Sequence, residues 1–294
     1  MKTTTKTAKQ GAKKISLTDL CFPVSMNHNS RNTNPEYSRV VTGIVNGVET
    51  DLNYCSPKYQ LIPNYDIFPQ IEETLKTNNL KFKVTYKHIN HVRFYAEYML
   101  TDKELTYKIK GTKDSIMPLL RVNHSYNGLT KYGIQFGYFR MICSNGLSIP
   151  VEEMKEYCLS IGGKHTESII DSFKKLSTTL KDFCKNKEEI AAKIMGKYNK
   201  LAKNVVVNVE DRIETVMGAV GINVVKNNNK NTLEEVVNSI YAELSNTELG
   251  YTEINDWLIY NGINQYLFND NNNIAAPEKR METDSKVLEY MLHN

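Results

Sequence analysis

Few residues in this chain have the type and spacing to do chemistry. His88 and His91 stand three apart, with no carboxylate or thiolate beside them to complete a metal site. In a strand the two rings would point to opposite faces; a hairpin between them would bring them together. Cys143 could act as a nucleophile with His124 across a strand pair, but only Arg140 is placed to lower its pKa, and cysteine ordinarily packs in cores. Gly162-Gly163-Lys164 is followed by His165 and lacks a preceding strand, so it is not a phosphate-binding loop, and no GxGxxG occurs. Glu152, Glu153 and Glu156 crowd a helix start, where acids suit the dipole. No catalytic site, metal or cofactor is expected, and the chain reads as a non-enzyme.

What remains is a lysine pattern. In LKFKVTYKH, Leu80, Phe82, Val84 and Tyr86 alternate with Lys81, Lys83, Thr85 and Lys87. Period-2 alternation puts the first set into a core and the lysines on the opposite face. VRFYAEYML and LTYKIK repeat the pattern. Three consecutive antiparallel strands would therefore present Lys81, Lys83, Lys87, Arg93, Tyr95, Lys108 and Lys110 on one face. Arg121 and Arg140 fall on candidate neighbouring strands, and each can either grip a phosphate bidentately or pair with an internal carboxylate. Basic sheet faces with an aromatic fit single-stranded nucleic acid, because lysines follow phosphates and rings stack on any base. The competing explanation is a sheet face that is merely solvated. No base-reading motif is visible, so binding is expected to be sequence-tolerant and salt-sensitive.

The elements that must position these residues follow from the rest of the 294-residue chain. It is 40% apolar and 24% charged, as ordinary globular chains are, and no run approaches 18 apolar residues. Met1 to Lys14 carries five lysines without an apolar stretch behind them, which does not read as a secretory signal, and Met1 to Ser16, with no apolar periodicity and no acid, predicts a disordered basic arm. Five cysteines without a CxxC read as reduced thiols. The Lys and Asn excess (30 Lys against 7 Arg, and 32 Asn) reads as a codon bias, so the Asn runs are polar loops. The net charge of +4 hides a split: residues 1–150 carry +9 and residues 151–294 carry −5. A basic half suits a polyanionic partner.

Asn46-Gly47 between β-rich runs predicts a hairpin over 39–54. Asn64 or Asp66 is placed to cap a helix with Ile67, Phe68, Ile71 and Leu75 on one face, ending at Asn78-Asn79. Two more strands are expected at MPLLRVNH and YGIQFGYFRMI, joined through Ser125 to Gly128. After Pro150 the period becomes helical: Ile169 to Phe183, Ile190 to Leu201, Ile213 to Val220, a capping box at Thr232 and Glu235, a helix from Thr252 holding Trp257, and a short terminal helix. The expected fold is α+β: an antiparallel β-meander with one packed helix, then an all-helical half. The expected organisation is a basic arm (1–20), a basic β-rich domain (21–150), a helical region (151–270) and a polar linker with a short helix (271–294).

Residues 121–147 resemble the signature of domain-of-unknown-function family 932, the phage/plasmid-like proteins. The resemblance rests on the turn Asn123-His124-Ser125-Tyr126-Asn127-Gly128 and on Arg140, Cys143, Asn145 and Gly146. KYQLIPNYDIFPQIEE is similar to an earlier block of that family at Tyr59, Asn64 and Phe68, and Trp257 to Tyr266 to its Asn-and-Tyr helix, with Asn269 in place of the usual His. Asn127 stands where Asp is frequent. The resemblance implies a phage, plasmid or integrative-element protein encoded near replication and recombination genes, acting in the cytoplasm of a bacterial host. It also implies a layout similar to phage single-strand annealing proteins. The expectation is a single-stranded DNA-binding protein, a homo-oligomer that anneals strands in replication or recombination and recruits partners through its helices. The alternative is a virion-associated or interaction protein without affinity for nucleic acid.

Overall fold

The computed structural model describes residues 15–130, 132–140, 159–160, 166–222, 226–227, 230–268 and 277–294. The chain opens with a one-turn helix α1 (Leu17–Leu20), capped reciprocally by Ser16 and Asp19, and Leu20 is fully buried. Residues 15–20, the end of the segment expected to be a disordered arm, carry this helix, and Leu20 and Phe22 pack into the core. Residues 1–14 lie outside the described residues. Strands β1 (Val24–His28), β2 (Arg39–Val45) and β3 (Val48–Cys55) form a three-stranded antiparallel sheet. Asn46 (φ 53°) and Gly47 (φ 80°) make the expected tight turn between β2 and β3, where both residues must take left-handed backbone.

Helix α2 (Asn64–Thr77) buries the predicted face of Ile67, Phe68, Ile71 and Leu75. Each such side chain contributes about 1.5–3 kcal/mol by leaving water. Asn64 does not cap this helix. Its side chain is buried and committed elsewhere, and the cap position falls on Pro63 without a side-chain hydrogen bond.

The main sheet runs β4 (Phe82–Ile89), β5 (Arg93–Leu100), β7 (Ser115–Ser125), β8 (Gly133–Arg140) and β9 (Leu159–Ser160), all antiparallel. The two-residue β6 (Tyr107–Lys108) pairs with the start of β7 rather than with β5. The meander therefore differs from the expected one. Strand β7, not the LTYKIK segment, lies beside β5, pairing with it from Arg93 to Met99, and the chain turns at Gly111 (φ 81°) between β6 and β7. The core face is packed by α2, with Phe68 against Tyr86, and by α3 (Thr166–Lys203), with Phe183 against Phe136.

The second half is mostly helical; it was expected to be all-helical, but it also supplies β9 to the main sheet and a short antiparallel pair, Lys226–Asn227 with Lys230–Asn231. What read as two stretches, 169–183 and 190–201, is the single 38-residue helix α3. It is followed by α4 (Val209–Ala219), α5 (Thr232–Leu244), α6 (Asp256–Phe268) and α7 (Pro277–His293). Helix α6 starts four residues later than Thr252 and is buried nearly all round. Gly262 lets α5 and α6 approach closely: a Cβ there would sit 2.7 Å from Ile240 Cγ1. One apolar core runs continuously from Leu20 through the sheet to Met291. Among the described residues no helix is long and apolar enough to cross a membrane.

Candidate nucleic-acid interface

Register decides which side chains share a face. Lys83 pairs with Met99, Thr85 with Glu97, Lys87 with Tyr95 and Ile89 with Arg93. Across β5 and β7, Arg93 lies opposite Ser125, Tyr95 opposite Asn123 and Glu97 opposite Arg121. Lys83, Lys87, Arg93, Tyr95, Arg121 and Asn123 thus lie on the sheet face opposite α2, and Lys81 precedes them in phase. Lys108, opposite Ser115 on β6, shares the face at the far end of β7. Lys110 follows outside the ladder, its backbone N–H donating to Asn199 Oδ1 of α3 at 2.8 Å.

This face is not uniformly open. Lys81, Lys83 and Lys87 on the β4 edge are exposed, as are Lys108 and Lys110. Arg93 and Tyr95 are half-buried, whereas Met117 and Leu119 of β7 are buried. The end of α6 reaches the β7 side, where the Arg121 guanidinium lies 5.8 Å from the Phe268 ring centre. Lys81, Lys83, Lys87 and Arg93 have no carboxylate in ion-pair reach among the described residues. Arg93 Nε and the Tyr95 hydroxyl are shielded from solvent yet have no hydrogen-bond partner among the described residues. Such groups cost free energy unless something else satisfies them.

The two arginines of β7 and β8 are placed differently. Arg121 holds Glu97 through Nε at 2.9 Å and Nη2 at 2.6 Å. Burial alone would push the Glu97 carboxyl up, but Arg121, and to a lesser degree Lys87, hold it below the usual carboxylate range. Arg140 is fully buried on the core face. It donates to Asp114 Oδ2 and Glu243 Oε2 at 2.6 Å each, and it lies 5.8 Å from the Trp257 ring. Asp114 Oδ2 also accepts from the Tyr251 hydroxyl at 2.7 Å and Trp257 Nε1 at 3.0 Å. Of the two roles the sequence left open, both arginines take the internal carboxylate. Arg140 has no surface to offer a phosphate, and it ties the sheet to α5 and α6 instead.

The signature turn is an architectural joint. His124 Nδ1 lies 3.0 Å from Asn64 Oδ1, while Asn64 Nδ2 donates to the Leu20 carbonyl at 2.8 Å. The Asn64 oxygen is therefore the acceptor, and His124 carries its hydrogen on Nδ1. Burial pushes the His124 imidazole down to about 3, which keeps it neutral. The Tyr126 hydroxyl accepts the Asn64 backbone N–H, and the Tyr126 carbonyl accepts the Tyr59 hydroxyl. Ser125 Oγ bonds both the carbonyl and the N–H of Thr130. Asn127 Oδ1 accepts from the Leu129 N–H, and Gly128 supplies φ 69°. The sequence blocks around Tyr59 and around Asn123 thus meet in one hydrogen-bonded cluster, and a turn motif alone could not reveal that. Cys143 and Asn145 lie outside the described residues.

Two further features matter. Asn90 and His91 both have positive φ and close the β4–β5 hairpin, which stacks His88 and His91 with ring centres 3.9 Å apart. Among the described residues no three His, Cys, Asp or Glu side chains cluster as metal ligands would. Cys21, Cys55 and Cys184 are free thiols. The alternation in VRFYAEYML puts Glu97 on the face of Arg93 and Tyr95, but the sequence reading missed that it pairs with Arg121 and that the basic C-terminal end of α3 adjoins Lys110. The acid-free run from Ile190 to Asn208 was the available signal for the second.

No curated protein and no solved structure matches this chain. A family model described as a domain of unknown function, DUF932, matches residues 51–289, well over half of the sequence. That span takes in the lysine-bearing β4 edge, the His124 joint and the Arg140 network. The chain belongs to the DUF932 family.

Proposed function

We propose that the chain binds single-stranded nucleic acid, DNA in the first place, on the β4–β5 side of the main sheet and without catalysis. The supporting observation is local. Among the described residues Arg93 Nε and the Tyr95 hydroxyl are buried without a hydrogen-bond partner, Lys87 lies across from Tyr95 with Lys83 farther along the same strand, and neither lysine forms an ion pair. A phosphodiester strand along β4 would give the lysines and Arg93 an anion, and bases lying inward would meet Tyr95. The mechanism is physical: phosphates are neutralised, the backbone is held extended, and base edges stay free to pair. Strand annealing in a phage or mobile element, with a homo-oligomer lining up several such faces in a bacterial cytoplasm, is the role this suits.

The same lysines have a competing explanation. Strand β4 is a sheet edge, and edge lysines discourage sheet-to-sheet association. Fluorescence anisotropy of a labelled single-stranded oligonucleotide separates the two, comparing wild type with a Lys81→Glu, Lys83→Glu, Lys87→Glu, Lys108→Glu variant of confirmed fold. Binding that falls steeply with salt and vanishes in the variant is expected. Equal absence of binding in both proteins would leave the lysines as edge protection and direct attention to partners of the helical half.

A further inference from the structure

The helical half carries −5 overall, yet between Ile190 and Asn208 it has four lysines and no acid. The loop from Leu105 to Lys113 likewise has three lysines and no acid. These two acid-free segments are far apart in sequence and meet in space at the hydrogen bond from the Lys110 N–H to Asn199 Oδ1. Around that contact is an open groove of about 740 Å³, walled by the last turns of α3, the end of α7 and Lys110. Lys110, Lys200 and Lys203 line it and are exposed. The one acidic side chain among the lining residues, Asp256, is almost wholly buried and cancelled by a two-pronged bond from Arg212 at 2.8 and 2.9 Å, with Asn204 adding a third donor.

Lysines elsewhere along α3 differ. Lys174 reaches Asp171 and Lys187 reaches Glu104, and at the start of the acid-free segment Lys193 reaches back to Glu189, away from the groove. Lysines near a helix C-terminus can simply complement the dipole, and Lys200 does so by donating to the Leu292 carbonyl at the end of α7. That bond also fixes its charge at the groove wall. Lys110 belongs to no helix, so helix-end complementation does not account for it.

We propose that this groove is a second anion site that takes the phosphodiester backbone of a nucleic acid. Fixed positive charges in a concave wall concentrate a polyanion more effectively than scattered surface lysines do. The inference stands apart from the sheet face, since none of the groove residues lies on β4 or β5.

The test titrates a labelled thirty-nucleotide oligothymidylate against four full-length proteins at several salt concentrations. These are wild type, a groove variant (Lys110→Gln, Lys203→Gln), a sheet variant (Lys83→Gln, Lys87→Gln) and a control elsewhere on α3 (Lys174→Gln, Lys181→Gln). Thermal unfolding checks that all four fold. Losing two phosphate contacts lowers the slope of log affinity against log salt by about 1.4, equivalent to about 25-fold in affinity at 0.1 M salt relative to 1 M. The expected result is that loss in the groove variant, with the control unchanged. A groove variant that binds as wild type while the sheet variant loses affinity overturns the groove and spares the sheet face. The converse pattern supports the groove and overturns the sheet face. Equal losses in groove variant and control, or no binding by wild type, overturn the groove.

Discussion

The two sides of the main sheet treat positive charge in opposite ways. Toward β8, Arg140 is sealed in and shared between Asp114 and Glu243, and Arg121 is clasped by Glu97. Toward β4, Lys83, Lys87 and Arg93 form no ion pair among the described residues, although Lys87 adds to the field on Glu97, and Arg93 Nε and the Tyr95 hydroxyl have no hydrogen-bond partner there. These cations all sit on strands of one sheet, in which β4 and β8 are separated only by β5 and β7. The lesson is that a basic residue announces neither architecture nor function. The placement of a carboxylate decides: where the fold supplies one, the cation holds elements together, and where it withholds one, the cation is free for an outside anion.

The comparison breaks most visibly at Arg140. Replacing it with Met leaves Asp114 and Glu243 buried without their counter-ion, at a cost of about 3–5 kcal/mol. Denaturant unfolding should show that loss. A change below about 1 kcal/mol would mean that the network is not what joins the sheet to α5 and α6.

A second prediction concerns groups kept neutral on the two sides. His124 is pushed down by burial to about 3, so between that value and its ordinary 6.5 the unfolded chain binds more protons and stability rises with pH. Asp284, fully buried against Tyr260 and Asn264, is pushed up by burial to about 7 from 3.8. Between those values the folded state binds more protons, so stability falls as pH rises. The two effects oppose each other over about pH 4 to 6.5. In Asp284→Asn only the His124 contribution survives, and stability relative to wild type should grow by about 1.4 kcal/mol per pH unit from about 4 to 7. A constant difference between the two proteins across that range would contradict the assignment.

On the open side the effects are smaller and fall on binding rather than folding. Lys83→Gln with Lys87→Gln should leave the unfolding free energy within about 0.5 kcal/mol. Tyr95→Phe removes a buried hydroxyl that nothing satisfies. It should leave stability within about 1 kcal/mol or raise it, whereas Tyr95→Ala should weaken binding of single strands by about 1–3 kcal/mol. Marked destabilisation by Tyr95→Phe would show that the hydroxyl has a partner inside the fold, which would weaken the case for an empty site.

Much of the architecture was legible in the sequence because it is local. The Lys81 to Lys87 alternation, the Asn46-Gly47 turn and the apolar face of α2 each lie within one element, where periodicity and turn chemistry decide. What could not be read depends on distant residues. Strand β7 displaced the 105–110 segment as the neighbour of β5, a choice made by long-range pairing. Asn64 suits a helix cap on local grounds, but its side chain is taken by His124, 60 residues on. The role of Arg140 rests on Glu243, 103 residues away, so its phosphate and carboxylate readings could not be separated from sequence. The candidate site was legible to the same extent: the β4 lysines were visible in the alternation, whereas the acid that neutralises Arg121 was visible only as one letter in the next strand.

The most direct test of the central claim is lysine footprinting. The full-length protein is acetylated briefly with and without saturating single-stranded DNA, and each lysine is read by mass spectrometry. The account predicts protection at Lys83 and Lys87, with Lys103 and Lys175, both exposed and off this face, labelled equally in both states. Unchanged labelling of Lys83 and Lys87 under conditions where DNA is bound would contradict it and place the nucleic acid elsewhere on the molecule.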